Sequence, residues 1–331
     1  MINRQLTMRS ETWPLKEPFQ ISRGVRTETR VIMAALEHCG VSGRGEAVPY
    51  ARYGETMDSV IDQIEDITAA VEDGISPEEL QMLLPAGAAR NAVDCALWDM
   101  IARWKGIPVW KLLHLPRPET VETAVTISIG QAEDMAKKAL ACKDYPLLKV
   151  KLDREDIRGR IAAVRAAAPD PRIILDPNES WTMADLEELD DFLGEKNISL
   201  LEQPLAAGQG EGLRHFTGRV PICADESCHT SDDLAGLLGK YQLVNIKLDK
   251  TGGLTEAVRL KKQAMDMGFG IMVGCMVATS LAMAPAMLLT SGVDFVDLDG
   301  PFLIKQDRQH GLKIIQGRIP PPSAELWGGQ K

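Results

Sequence analysis

The chain is short of basic charge: 37 Lys and Arg stand against 47 Asp and Glu, for a formal net charge of −10 and a pI near 5.1. That balance argues against a nucleic-acid or anionic-membrane surface. Cysteines are few and scattered, at Cys39, Cys95, Cys142, Cys223, Cys228 and Cys275, with no CxxC pair. Such usage excludes a disulfide framework and suits a reducing cytoplasm. The histidines, His38, His114, His215, His229 and His310, stand in no zinc-type spacing with them. Nowhere is there a run of about 18 apolar residues, and the opening "MINRQLTMRS" lacks the apolar core of a signal peptide. These absences predict a soluble cytoplasmic protein with neither nucleic acid nor membrane as partner.

At 331 residues the chain has room for one barrel-sized domain plus a smaller one. The first 115 residues read as an α+β domain. "RVIMAALEH" (30–38) is strand-like, and "GVSGRGEAVPY" (40–50) supplies glycine turns and another extended piece. Between the early strands "PFQISRGVRTETR" (18–30), with three arginines, reads as a polar loop. Val60, Ile61, Ile64, Ile67 and Val71 recur at helical spacing and predict a helix over 57–74. A second helix over 85–106 carries Ala92, Val93, Ala96, Leu97, Met100, Ile101 and Trp104 on one broad stripe.

From residue 116 the pattern becomes an alternation of short apolar runs and helical segments. The runs begin at 122, 147, 172, 199, 221, 243, 270 and 294, a repeat of 22 to 27 residues. Eight such units predict a parallel (β/α) barrel over 116–301, with an N-terminal α+β capping domain over 1–115. The last strand leads into "GPFLIKQD", which is not helical in pattern, so the barrel is expected as (β/α)7β. The tail, 302–331, is expected to return to the first domain.

Chemistry in such a barrel belongs at the C-terminal ends of the strands. Those ends carry Lys149 and Lys151, Asp176, Glu202, Asp225, Lys247 with Asp249, and Asp297 with Asp299. Asp176, Glu202 and Asp225 lie on successive strands, 26 and 23 residues apart, and can converge on one point. Three carboxylates without His or Cys favour a hard ion that retains open positions, and Mg²⁺ fits best. Lys149 and Lys151 precede those strands and Lys247 follows them, so the lysines flank the ion from two sides. A desolvated lysine beside other cations can serve as a base, and Lys with Mg²⁺ is a known way to form an enediolate. Asp297 and Asp299, two residues apart, point into the same cavity and suit a cation. Asp249 could pair with Lys250 or with Lys247, and a tight pair with Lys247 would weaken that lysine as a base.

The motifs "KVKLD", "LDPNESW", "LLEQPL", "CADESCHT", "VNIKLDKTGGLTEA" and "DLDGP", in this order and spacing, resemble the muconate-lactonizing branch of the enolase superfamily. Within it the chain is most similar to dipeptide epimerases acting on L-Ala-D/L-Glu, over essentially its whole length. The resemblance implies an isomerase with one Mg²⁺ on Asp176, Glu202 and Asp225. Lys151 and Lys247 would be the acid/base pair, one per face of the substrate α-carbon, with Lys149 as electrostatic partner and carboxylate ligand. Asp297 and Asp299 would bind the dipeptide ammonium, and Thr126, Cys275 and Met276 would line the pocket. For a glutamate side chain the early loop offers Arg23 and Arg26, with Arg52 and Tyr53 as weaker candidates; His229 is expected to be structural. A place in murein peptide metabolism follows from the resemblance alone. No interface stripe stands out, and a homo-oligomer stays open.

N-acyl amino acid racemases, o-succinylbenzoate synthases and cycloisomerases use the same lysines and metal, but need no paired carboxylates for an ammonium group. The mandelate-racemase branch expects a histidine near the seventh strand, and 268–280 contains none. A Schiff-base aldolase and a barrel that only binds peptides are more distant alternatives.

Overall fold

The computed structural model describes residues 4–329. Three antiparallel strands open the chain: β1 (Arg4–Ile21), β2 (Gly24–His38) and β3 (Val41–Ala47). The segment 18–30, expected as a loop, is instead the far end of a long hairpin. β1 and β2 stay paired out to Ile21 opposite Gly24, with a register shift between Pro14 and Phe19. At its inner end β2 is covered on both faces. Ile32, Ala34 and Leu36 pack in the core of the N-terminal domain, while Val31 and Met33 join the barrel core.

Helix α1 (Met57–Asp73) starts at a Thr56 capping box and stops at Gly74, whose φ of 109° is easy only for glycine. After α2 (Pro77–Leu83), α3 (Ala88–Lys105) runs between β3 and the barrel. It is buried nearly all round, including Arg90, Asn91, Asp94 and Asp99, whereas Trp104 is half exposed. The single stripe read from the sequence therefore understates it: a helix wedged between two layers has no solvent face over most of its length. The approach to β3 is closest at Gly43 and Gly45, where an added Cβ would lie 2.1 Å from Met100 N and from Ala92 O respectively.

A short helix α4 (Val109–Leu112) and strand β4 (Val121–Glu122) lead into the barrel. Its strands are β5 (Val125–Ile127), β6 (Leu147–Lys151), β7 (Arg172–Asp176), β8 (Leu200–Glu202), β9 (Ile222–Ala224), β10 (Leu243–Ile246), β11 (Gly270–Val273) and β12 (Phe295–Val296). They hydrogen-bond in sequence order, all parallel, and Ala124 N donates to Val296 O at 2.8 Å to join the last strand to the first. Helices α5 (Ala132–Ala141), α6 (Ile157–Ala167), α7 (Met183–Glu195), α8 (Leu234–Leu237), α9 (Leu248–Thr251), α10 (Leu254–Asp266), α11 (Ser280–Ala286) and α12 (Gly300–Leu303) fall between and after them, and a 3₁₀ turn, Gly210–His215, serves between β8 and β9. This is the barrel with a capping domain that the repeat predicts. The chain returns through β13 (Arg318–Ile319), paired with β4. Trp327 Nε1 then donates to Cys95 O at 3.1 Å on α3, and Gly328 N to Asp99.

Inside the barrel, Ala124, Leu147, Ile174, Leu200, Cys223, Leu243, Met272 and Phe295 form one apolar cluster, one residue from each strand or its approach. This is the floor. Because strand side chains alternate, the residue two further along each strand points into the same interior one layer higher. Those residues are Thr126, Lys149, Asp176, Glu202, Asp225, Asn245, Gly274 and Asp297. One further step of two reaches Lys151, Asn178, Lys247, Met276 and Asp299. A single period thus puts an ionic ring above an apolar plug.

Candidate active site

The ring is a continuous ionic network. Lys149 is 2% exposed and its Nζ lies 2.7 Å from Glu202, 2.7 Å from Asp297 and 3.1 Å from Asp176. Lys151 Nζ donates to Asp176 Oδ2 at 2.5 Å and to Asn178 Oδ1 at 3.2 Å. Lys247, just past β10, donates to Asp225 Oδ2 at 2.6 Å and lies 3.8 Å from Glu202. Strand order gives the arrangement its sense. Lys151 on β6 and Lys247 after β10 are four strands apart in a ring of eight, hence opposite each other. The three acids occupy β7, β8 and the end of β9 between them, and Asp297 and Asp299 follow β12, opposite β8.

Asp249 does not pair with Lys247. It accepts from Val48 N at 2.8 Å and Asn91 Nδ2 at 3.0 Å, facing the N-terminal domain. Lys250 is the buried lysine beside Asp225 instead. It donates to Cys228 O at 2.7 Å and Asn245 O at 2.8 Å, and its Nζ is 2.8 Å from Asp225 Oδ1. Asn245 Nδ2 in turn donates to Glu202 Oε1 at 2.9 Å. The sequence does not single out Asn178, Asn245 or Glu226, and it offers Lys250 only as a partner for Asp249. Asn178 and Asn245 carry the inward parity of the strands, and Lys250 lies one helical turn beyond Lys247, so for these three a signal was present; Glu226, next to the inward-facing Asp225, carries no such signal.

The acids meet the test for a cation site in their chemistry. Glu202 Oε2, Asp225 Oδ1 and Asp297 Oδ1 are buried without a directed hydrogen bond. Burial, then the charge of Asp176, pushes the Glu202 carboxyl up to about 7. Burial, then Asp297, does the same to Asp299. Burial opposes the charge on Lys149 and Lys247, yet the surrounding carboxylates outweigh it and raise both well above the ordinary lysine range. The ring thus holds an excess of buried negative charge. Among the described residues no trio of acids surrounds a common point as they stand, because lysine ammonium groups fill the gaps between them. Hard oxygen donors on three adjacent strands, their charge now met by lysine ammonium groups such as Lys149 on Glu202 and Lys250 on Asp225, still match a divalent cation such as Mg²⁺.

The pocket above the ring is roofed by the hairpin. Phe19, Ile21, Arg23, Arg26 and Tyr50 line it from the N-terminal domain, and Thr126, Cys275 and Met276 from the barrel. Thr126 N donates to Asp299 Oδ2 at 2.7 Å, fixing that carboxylate. Burial pushes the Cys275 thiol well above its ordinary value, so it lines the wall as an unreactive group. His229 stands edge-on to Tyr53 at 4.4 Å between ring centres, and its backbone N–H caps onto Asp233. Arg52 makes a two-pronged pair with Glu179, both distances 2.8 Å, which removes it from the pocket wall.

Two family models match the chain: "Mandelate racemase / muconate lactonizing enzyme, N-terminal domain" over residues 3–114 and "Enolase C-terminal domain-like" over 131–325. An L-Ala-D/L-Glu epimerase of Escherichia coli (strain K12) is 46% identical over 318 residues, covering 96% of this chain and 99% of that one. An N-acetyl-D-glutamate racemase of a Pseudoalteromonas species is 48% identical over 289 residues, covering 87% and 91%. Among solved structures, an enolase family member from Agrobacterium tumefaciens, with sodium and L-Ala-L-Glu bound, is 46% identical. It superposes with a TM-score of 0.96 over 98% of this chain and 100% of that one. A dipeptide epimerase of Enterococcus faecalis V583, complexed with Mg and L-Leu-L-Tyr, is 28% identical with a TM-score of 0.91 over all of both chains.

Proposed function

The chain belongs to the mandelate racemase and muconate lactonizing enzyme family of the enolase superfamily, and from that premise we propose that it is a Mg²⁺-dependent dipeptide epimerase. Its substrates are dipeptides with a C-terminal glutamate, such as L-Ala-L-Glu and L-Ala-D-Glu. One observation carries the reading: Lys151 and Lys247 face each other across the barrel with three carboxylates between them. A 1,1-proton transfer needs that geometry, one group on each face of the α-carbon.

Asp176, Glu202 and Asp225 would hold the ion. When bound, it supplies positive charge to the substrate carboxylate and balances the field that keeps Lys247 protonated. Lys151 takes the α-proton from one face onto its neutral Nζ, and the ammonium of Lys247 returns a proton to the opposite face. The reverse epimer exchanges the roles. Lys149, held between Glu202 and Asp297, contributes fixed positive charge beneath the reacting carboxylate and is too engaged to move with the substrate.

Asp297 and Asp299, on the side opposite Glu202, receive the dipeptide ammonium; Asp297 Oδ1 is the unengaged acceptor. Arg26 reads the glutamate side chain. Among the described residues its guanidinium makes no hydrogen bond, only a stack on Tyr50 with 5.1 Å between the guanidinium carbon and the ring centre, and it lines the pocket. Six free cysteines accord with a reducing cytoplasm, and among the described residues no helix is long and apolar enough to cross a membrane.

N-acyl-glutamate racemisation is the second reading, favoured by the 48% identity to a racemase of that kind and by the Lys149–Asp297 pair, which already offsets one of the two acids. The deciding assay follows loss of the α-proton by NMR in D₂O with Mg²⁺, offering L-Ala-L-Glu and N-acetyl-L-glutamate separately. Faster exchange of L-Ala-L-Glu supports the epimerase. Faster exchange of N-acetyl-L-glutamate transfers the assignment to the racemase.

A further inference from the structure

The two lysines that face each other across the ring are placed by different means. Lys151 ends β6, and its backbone pairs with Asp176 on β7, so barrel strands set its position. Lys247 lies past β10 and leads straight into α9, a helix of four residues. Its carbonyl accepts from Lys250 N and Thr251 N, both at 3.0 Å, so Lys247 moves with α9. A single turn makes too few bonds of its own to fix its place, and much of what fixes this one comes from outside the barrel.

The N-terminal domain grips α9 at two points. Asp249, 4% exposed, accepts at a single oxygen, Oδ1, from Val48 N at 2.8 Å and Asn91 Nδ2 at 3.0 Å. The Asn91 amide is itself oriented, since its Oδ1 accepts from Cys95 Sγ at 3.3 Å. Arg90, the neighbour of Asn91 on α3, donates from Nη2 to Thr251 O at 2.7 Å and from Nε to Gly252 O at 3.1 Å. The chain turns there through Gly252 and Gly253, with φ of 69° and 112°. A Cβ on Gly252 would lie 2.5 Å from Arg90 Nε, so the close approach requires glycine. An arginine and an aspartate buried between two layers are costly unless matched. Here both are matched through one helical turn, the turn that carries Lys247.

We infer that Asp249, Asn91 and Arg90 are positioning residues for Lys247: the N-terminal domain aims one acid/base lysine through α9 and leaves the other to the barrel. Loosening α9 then misplaces Lys247 without touching Lys151, and only proton transfer on the Lys247 face slows. General damage to the barrel would slow both faces. The kinetic consequence rests on the epimerase reading; the grip on α9 does not.

The test is Asp249→Ala in the full chain with Mg²⁺. Hydrogen exchange by mass spectrometry, without substrate, is expected to quicken about tenfold over residues 248–253, with β6 and β7 unchanged. With L-Ala-L-Glu and L-Ala-D-Glu offered separately in D₂O, α-proton exchange should slow about 10- to 100-fold for the epimer that Lys247→Ala fails to exchange. It should stay unchanged for the other. Asp249→Asn keeps the accepting oxygen and is expected to recover most of the lost rate. Asn91→Ala leaves the Val48 contact and should give the same one-sided loss at smaller size; it decides the matter if Asp249→Ala does not fold. Equal slowing of both epimers, or unchanged hydrogen exchange over 248–253, overturns the inference, as does an Asp249→Asn no better than Asp249→Ala. If the parent protein exchanges neither dipeptide, the epimerase reading fails, while hydrogen exchange still decides the grip.

Discussion

At the barrel mouth Lys149 meets Asp176, Glu202 and Asp297 with its own side chain 2% exposed; at the hairpin tip Arg23 meets Glu226 and Glu179 with 27% of its side chain open. Both are cations between two or more carboxylates. The difference lies in what holds them. Each ring residue is placed by a β-strand whose preceding inward neighbour is locked in the apolar floor, so its position is fixed by backbone and packing. The hairpin tip has few side chains beneath it and is fixed by a handful of polar contacts. On the proposed reading, chemistry is built into the rigid part and selection into the part that can change or move.

Substitutions test that division. The largest effect is expected at the ring: Lys247→Ala or Lys151→Ala should lower the epimerisation rate by about 10²–10⁴-fold, read by polarimetry, with the fold intact by circular dichroism. A loss below tenfold would mean the lysine is not in the proton path. Next comes the joint between the two regions. Gly45→Ala drives a Cβ to 2.1 Å from Ala92 O on α3, and thermal melting should report a loss of roughly 3 kcal/mol, at the upper end of ordinary overpacking. Retained stability would show that α3 can move off β3.

Selection should break at Arg26. Arg26→Gln removes the guanidinium free to meet a side-chain carboxylate. The preference for L-Ala-L-Glu over L-Ala-L-Leu in kcat/KM should fall by about 10- to 100-fold, the worth of one charge-assisted pair, while activity on L-Ala-L-Leu survives. The smallest effect concerns a buried acid remote from the pocket. Burial pushes the Asp94 carboxyl, which accepts from Thr255 N and Oγ1, up to about 7. The native state then keeps a proton that the unfolded chain releases near pH 3.9, so stability falls as pH rises from about 4 to 7. Asp94→Asn should flatten that decline by ~1–2 kcal/mol in urea titrations at pH 4.5 and 7.5. An unaltered slope would mean Asp94 is already ionised at the lower pH.

What could be read in advance follows the same division. Strand parity announces Lys149, Asp176, Glu202, Asp225 and Asp297 because each sits two residues past an apolar partner, and the eightfold repeat supplies the order in which they meet. Asp249 is one strand step from Lys247 by number, yet a helix, α9, begins at Leu248 and turns it away. The hairpin escaped because residues 24–28 are exposed on both faces, which leaves no alternation to detect. The roles of Arg23 and Arg26 escaped for a related reason: they depend on Glu226, Glu179 and Tyr50, which come from three other loops.

The central claim is that Lys151 and Lys247 serve opposite faces of one α-carbon. Deuterium incorporation from D₂O into L-Ala-L-Glu and L-Ala-D-Glu, measured separately with Lys151→Ala and Lys247→Ala, tests it most directly. Each variant should exchange the α-proton of one epimer and fail with the other, and the two variants should differ in which. Loss of exchange with both epimers in both variants, or the same epimer surviving in each, would contradict it.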